Sequence, residues 1–115
     1  MPFFDISSTA PQALLPGISV RTAWGDRIML SFLDFEYEGA TVPLHHHLHE
    51  QMGMGLEGEF ELVIGQETRV IRLGDVYLIP SDVMHSATAV GGPARALDIF
   101  SPPREEYKGR KVGSG

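Results

Sequence analysis

Glycine and proline punctuate this chain so often that the pattern favours many short strands over helices. Thirteen glycines and eight prolines are spread over 115 residues. Apolar runs of about four to eight residues lie between them, which is the length and punctuation of β-strands. Ile18 to Thr22 reads as a strand, and Trp24-Gly25-Asp26 as a turn. Arg27 to Glu38 reads as a longer strand, apolar on both faces over Ile28 to Leu33 and then alternating. Leu56 to Ile64 is a further strand, with Phe60, Leu62 and Ile64 on one face and Glu59 and Glu61 on the other. Gly65-Gln66 is a two-residue turn that pairs it with Glu67 to Leu73. Val76 to Ile79, His85 to Val90 and Arg95 to Phe100 complete the series, each ended by a turn or proline signal. Met1 to Ile6 could add a short strand, and with the extended segment that follows Pro43 the count is about nine. The expected fold class is all-β, a sandwich or small barrel.

Composition narrows the function. The apolar fraction of 43% and charged fraction of 21% suit a folded globular chain rather than a disordered one. There is no cysteine, so disulfides, thiolate ligands and cysteine nucleophiles are excluded. A net charge of −6 argues against nucleic-acid partners and anionic membranes. No apolar run approaches the roughly 20 residues of a membrane span. The first residues lack the basic and apolar regions of a secretory signal, so the expected location is cytoplasmic. The expected organisation is one domain over residues 1–115, with a core over about 18–101, a lead-in of 1–17 and a polar tail of 102–115. Gly113-Ser114-Gly115 has the composition of a linker.

The five histidines are not scattered. Four stand at positions 45, 46, 47 and 49, and the fifth is His85. In an extended segment residues two apart share a face, so His45 and His47 point together and His46 points away. That spacing lets two imidazoles converge on one metal ion, with His85 and Gln51 as further donors nearby in the pattern. Imidazole suits zinc, nickel, iron or copper. A solvated histidine patch is the competing explanation. His49 could line a pocket mouth or face solvent, and Met52 and Met54 could line a pocket or fill the core.

Two spaced motifs surround these residues. Gly39, five residues, His45-x-His47, three residues, Gln51, six residues and Gly58 form the first. Gly74, five residues, Pro80, four residues and His85 form the second. Together they resemble the two motifs of the cupin superfamily, with Gln51 in place of the usual Glu, Asp82 in place of a Gly, and Ala89 where Asn is common. The resemblance spans roughly Trp24 to Phe100 and implies a jelly-roll, or double-stranded β-helix, barrel. It implies that His45, His47, Gln51 and His85 hold one divalent transition metal ion, with zinc, nickel, iron and manganese as candidates. Three imidazoles and an amide are neutral, so such a site keeps the metal's full charge and favours an anionic ligand. Glu50 would restore a carboxylate only by a one-residue slip, which period two opposes. Cupins of this kind are often homodimers. Phe3-Phe4 could serve a dimer edge or close one end of the barrel.

The last strand, Leu97-Asp98-Ile99-Phe100, carries an acid that faces either solvent or the barrel interior. Together with His45-x-His47-x-His49-Glu50-Gln51 and Leu56-Glu57-Gly58-Glu59, the run Asp98-Ile99-Phe100-Ser101-Pro102-Pro103-Arg104-Glu105-Glu106-Tyr107 resembles the KdgF family of pectin degradation proteins. That family opens 4,5-unsaturated monouronates to linear 4-deoxy-5-keto acids. The resemblance implies a small anionic sugar-acid substrate, with Asp98 moving a proton, Arg104 holding the carboxylate and Phe100 packing on the sugar ring. A cupin dioxygenase or isomerase of another type, or a non-catalytic binding cupin, are the alternatives.

Overall fold

The computed structural model describes residues 2–109. Ten strands run along the chain: β1 (Gln12–Leu15), β2 (Ile18–Trp24), β3 (Met29–Phe35), β4 (Thr41–His45), β5 (Glu50–Glu57), β6 (Phe60–Ile64), β7 (Glu67–Ile71), β8 (Val76–Ile79), β9 (His85–Ala89) and β10 (Ala94–Ser101). They form two antiparallel sheets, one ordered β1-β2-β3-β10-β5-β8 and the other β4-β9-β6-β7. The sheets stack as a jelly roll around one core, where Phe35 of the first lies on Phe60 of the second at 5.1 Å between ring centres. No helix of the described residues is long and apolar enough to cross a membrane.

Alternation places the site. Along β10 every second residue is buried, so Ala94, Ala96, Asp98 and Phe100 face inward. Two rows cross the inner face of the larger sheet: Ser31, Asp98, Gly53 and Tyr77, then Met29, Phe100, Gln51 and Ile79. The outer face carries Leu30, Ile99, Met52 and Leu78 in register.

Several expectations are corrected. Residues 2–5 form no strand, and the residues described after them make a 3₁₀ turn over Ile6–Ser8. There the Asp5 carboxylate takes the Ser7 and Ser8 hydroxyls at 2.8 and 2.7 Å, a local alternative to strand pairing. The extra strand is instead β1, within the lead-in of residues 1–17. Pro16-Gly17 closes its hairpin with β2, and Gly17 takes φ +76° beneath the Tyr37 ring. The expected two-sided burial over Ile28 to Leu33 fails, since Ile28 and Leu30 are exposed and β3 alternates throughout. Leu56 to Ile64 is not one strand, because Gly58 turns at φ +63° against the Pro93 carbonyl. β5 starts earlier, inside the histidine segment, and turns Met52 and Met54 away from the core. Phe3 and Phe4 are exposed, so they close no barrel end within one chain.

The polar tail is also corrected. Beyond a cis Ser101–Pro102 peptide, Glu105–Lys108 form a 3₁₀ turn that buries Tyr107. This strap is tied to the larger sheet by Thr22 Oγ1 donating to the Tyr107 carbonyl at 2.8 Å and Gln12 Nε2 to the Glu106 carbonyl at 3.0 Å. Met1 and residues 110–115, including the Gly113-Ser114-Gly115 run, lie outside the described residues.

Candidate functional site

The histidines meet at one end of the smaller sheet. His45 ends β4 and pairs across the ladder with His85, which begins β9. β4 stops at His45, so His47 reaches the same point from the connecting loop rather than along a continuous strand. The ligating nitrogens of His45, His47 and His85 lie within 4.8 Å of one another.

Each of the three rings is oriented by its own backbone neighbourhood. Nδ1 of His45 lies 2.7 Å from the Pro43 carbonyl, that of His85 2.8 Å from Val83, and that of His47 3.0 Å from His49. A carbonyl only accepts, so each Nδ1 carries the proton and each Nε2 presents a lone pair. Metal-binding imidazoles are commonly oriented in this way. Burial pushes all three pKa values down, that of His85 to about 4, which favours the neutral ligating form.

Gln51 faces inward and is buried, whereas Glu50 is exposed. The Gln51 amide oxygen lies 3.1 Å from Nε2 of His47. With Nδ1 protonated, these are two acceptors side by side, an arrangement that a shared cation would resolve. The amide's other end is directed to Asp98, whose carboxylate it helps hold down. The donor set therefore fits a divalent cation bound by three imidazoles and an amide oxygen.

Asp98 is buried, 5% exposed. Tyr77 Oη donates to its Oδ1 at 2.6 Å. That bond spans β5, and Gly53 makes it possible: a Cβ at residue 53 would strike both Asp98 and the Tyr77 ring. Burial raises the Asp98 pKa to about 6, against the opposing pull of the Tyr77 and Gln51 hydrogen bonds and the Arg104 charge. Phe100 is 2% exposed and meets the His47 ring edge-on at 5.7 Å. Arg104 is 8% exposed and stacks over Tyr107 and Phe100, its guanidinium carbon 4.2 and 5.2 Å from their ring centres. Asp98, Phe100 and Arg104 line the same pocket as His45, Gln51 and His85.

The other two histidines differ in role. His46 is exposed beside Asp82, 3.5 Å away. Asp82 has φ +64°, the left-handed backbone that explains why the cupin pattern prefers glycine there. His49 acts on the cluster through its carbonyl, which holds the His47 ring. Its Nδ1 is buried without a hydrogen-bond partner among the described residues. Tyr77 and Gly53 escape the sequence reading, and Glu106 and Tyr107 enter it only within the resembling run, without a role. Only Gly53, between two methionines in an apolar strand, carries a local signal of close approach.

Fold and site together define a β-sandwich protein with a three-histidine group able to hold a metal at one end. Residues 32–100 match the cupin domain family, and the chain belongs to that family. Within it, the chain resembles the pectin degradation protein KdgF of Dickeya dadantii, with 30% identity over 84 residues, 73% of this chain and 76% of that protein. The structure of KdgF from Halomonas sp. is similar with a TM-score of 0.85 and 30% identity, covering 92% of this chain and 97% of that one. An RmlC-like cupin from Shewanella frigidimarina is similar with a TM-score of 0.86 and 27% identity, covering 93% and 96%.

Proposed function

We propose that this cupin opens the ring of 4,5-unsaturated monouronates to give the linear 4-deoxy-5-keto acids. The supporting observation is that an inward acid, an aromatic ring and a buried arginine line the pocket that carries the histidines and Gln51. His45, His47, Gln51 and His85 would hold the divalent metal, which when bound supplies Lewis-acid polarisation of substrate oxygens. Arg104 holds the substrate carboxylate through its planar donor edge. Phe100 packs on the sugar ring. Asp98 accepts the proton of the C1 hydroxyl and returns it to the ring oxygen as the C1–ring-oxygen bond breaks, leaving an aldehyde at C1 and an enol at C5. C4 then gains a proton and the enol hydroxyl loses one, so the product is an isomer of the substrate and no redox partner is needed. An acid that must both accept and return a proton suits a buried carboxylate with hydrogen-bonding neighbours.

The test follows the ultraviolet absorbance of a 4,5-unsaturated monouronate with metal-loaded protein, chelated protein and no protein. Faster decay with the metal-loaded protein alone is expected. No acceleration with metal bound would sink the uronate assignment and leave a cupin for another small ligand. We also infer a homodimer that uses the exposed Phe3-Phe4 edge. Light scattering on protein lacking residues 1–5 should show a monomer, and an unchanged dimer would refute that edge.

A further inference from the structure

The Arg104 guanidinium already holds a carboxylate. Its Nε and Nη2 both donate to Oε2 of Glu106, at 3.1 and 2.7 Å. This is a donor edge that an incoming carboxylate would use. The two partners are held very differently. The Arg104 side chain is 10% exposed and is stacked on the Tyr107 and Phe100 rings, so packing keeps it in place. The Glu106 side chain is 57% exposed and can swing into water. Its backbone, in contrast, is pinned, because its carbonyl takes the Gln12 amide. The carboxylate therefore stays close to Arg104 whether paired or displaced. It also lies near enough to His45 and His49 for their charges to interact.

From this we infer that Glu106 is an internal competitor for the binding residue Arg104, a carboxylate that a ligand's carboxylate must displace. The inference rests on the reading of Arg104 as the carboxylate anchor. A half-exposed ion pair is worth about 0–1 kcal/mol, so displacement is cheap. It is a fixed cost that every carboxylate meets alike, so it lowers affinity for sugar acids and small carboxylates by the same factor. A simple carboxylate, with little else to gain, is then left with low occupancy at Arg104, whereas a sugar acid that also contacts the histidine end and Phe100 still binds.

Calorimetry on the metal-loaded full chain tests this with acetate and with galacturonate, a saturated uronate that lacks the reacting double bond. Glu106→Gln should bind acetate about 3- to 5-fold more tightly, within the 0–1 kcal/mol range of such a pair. Galacturonate should tighten by the same factor, so that its ratio to acetate stays unchanged. Two companion variants separate the causes. Glu105→Gln removes the same charge from the exposed neighbour that pairs with Lys108, and should leave acetate binding unchanged. In an Arg104→Met background, Glu106→Gln should no longer tighten it. Unchanged or weaker acetate binding in Glu106→Gln overturns the proposal, as does equal tightening from Glu105→Gln or tightening that survives loss of Arg104. Failure of the uronate assignment would show separately, as wild-type protein that binds acetate at Arg104 but neither binds galacturonate nor consumes the unsaturated substrate.

Discussion

The two halves of the pocket are held by different means. At the histidine end, each ring is oriented by a carbonyl two residues away in the chain. At the acid end, Asp98 is held by Tyr77 from 21 residues away, and Arg104 by aromatic stacking within the strap. A local hydrogen bond survives wherever its short segment keeps its shape. A bond across three strands exists only when sheet order, register and a missing side chain coincide. The histidine end should therefore tolerate distant packing changes that disable the acid end.

The largest effect should come from the acid. Asp98→Asn should lower uronate turnover by about 10²–10⁴-fold, the usual range for a general acid or base. Bound metal, measured by elemental analysis, should persist; unchanged turnover would refute the proton-transfer role. The same variant tests the environment of Asp98. Its pKa is raised in the fold to about 6, so its contribution to stability is full below the unfolded value near 4 and is lost as pH rises through 6. Metal-free Asp98→Asn should therefore gain on the wild type between pH 4 and pH 7, by up to about 3 kcal/mol. Paired urea titrations measure the gain, and a constant difference across that range would contradict it. The histidines titrate oppositely, His85 adding stability as pH rises from about 4 towards 6.5, but this is common to both proteins.

His85→Ala should next weaken metal affinity by at least about 100-fold, read by competition with a chromophoric chelator, because a ligand and not merely its support is removed. Gly53→Ala should break the acid end selectively. The new methyl meets Asp98 and Tyr77, with a cost of about 1–3 kcal/mol in denaturant titration and loss of turnover. Metal affinity should fall far less than in His85→Ala, and equal losses in the two variants would erase the contrast drawn between the ends. The smallest effect belongs to Tyr77→Phe, which removes one buried hydrogen bond and should cost about 1 kcal/mol. Turnover should drop through kcat with KM little changed, since Tyr77 positions Asp98 and not the substrate carboxylate.

Much of this molecule was legible before the fold. Turn residues separated the strands, and the Gly65-Gln66 hairpin pairs Ile64 with Glu67 as that spacing requires. Period two placed Gln51 inward and Glu50 outward, and set Asp98 on the face of Phe100. The errors share a cause. The apolar run Ile28 to Leu33 suggested burial on both faces, but whether a sheet face is covered depends on which layers stack against it. The strap read as solvated tail because its polar composition hides one aromatic, Tyr107, that reaches the core.

By itself, then, the sequence determined the β class, the turns, the inward side of Gln51, and the presence of an acid on an apolar strand. These follow from bond geometry and side-chain alternation, which act over a few residues. Only the tertiary structure decided that Asp98 meets Tyr77 over Gly53, that Arg104 is buried against two rings, and that Glu106 occupies its donor edge. The Tyr77 contact depends on which strands become neighbours and in what register, and the Arg104 pair on how the strap folds onto the sheet. Chain entropy and core packing settle both together, and no short segment contains that information.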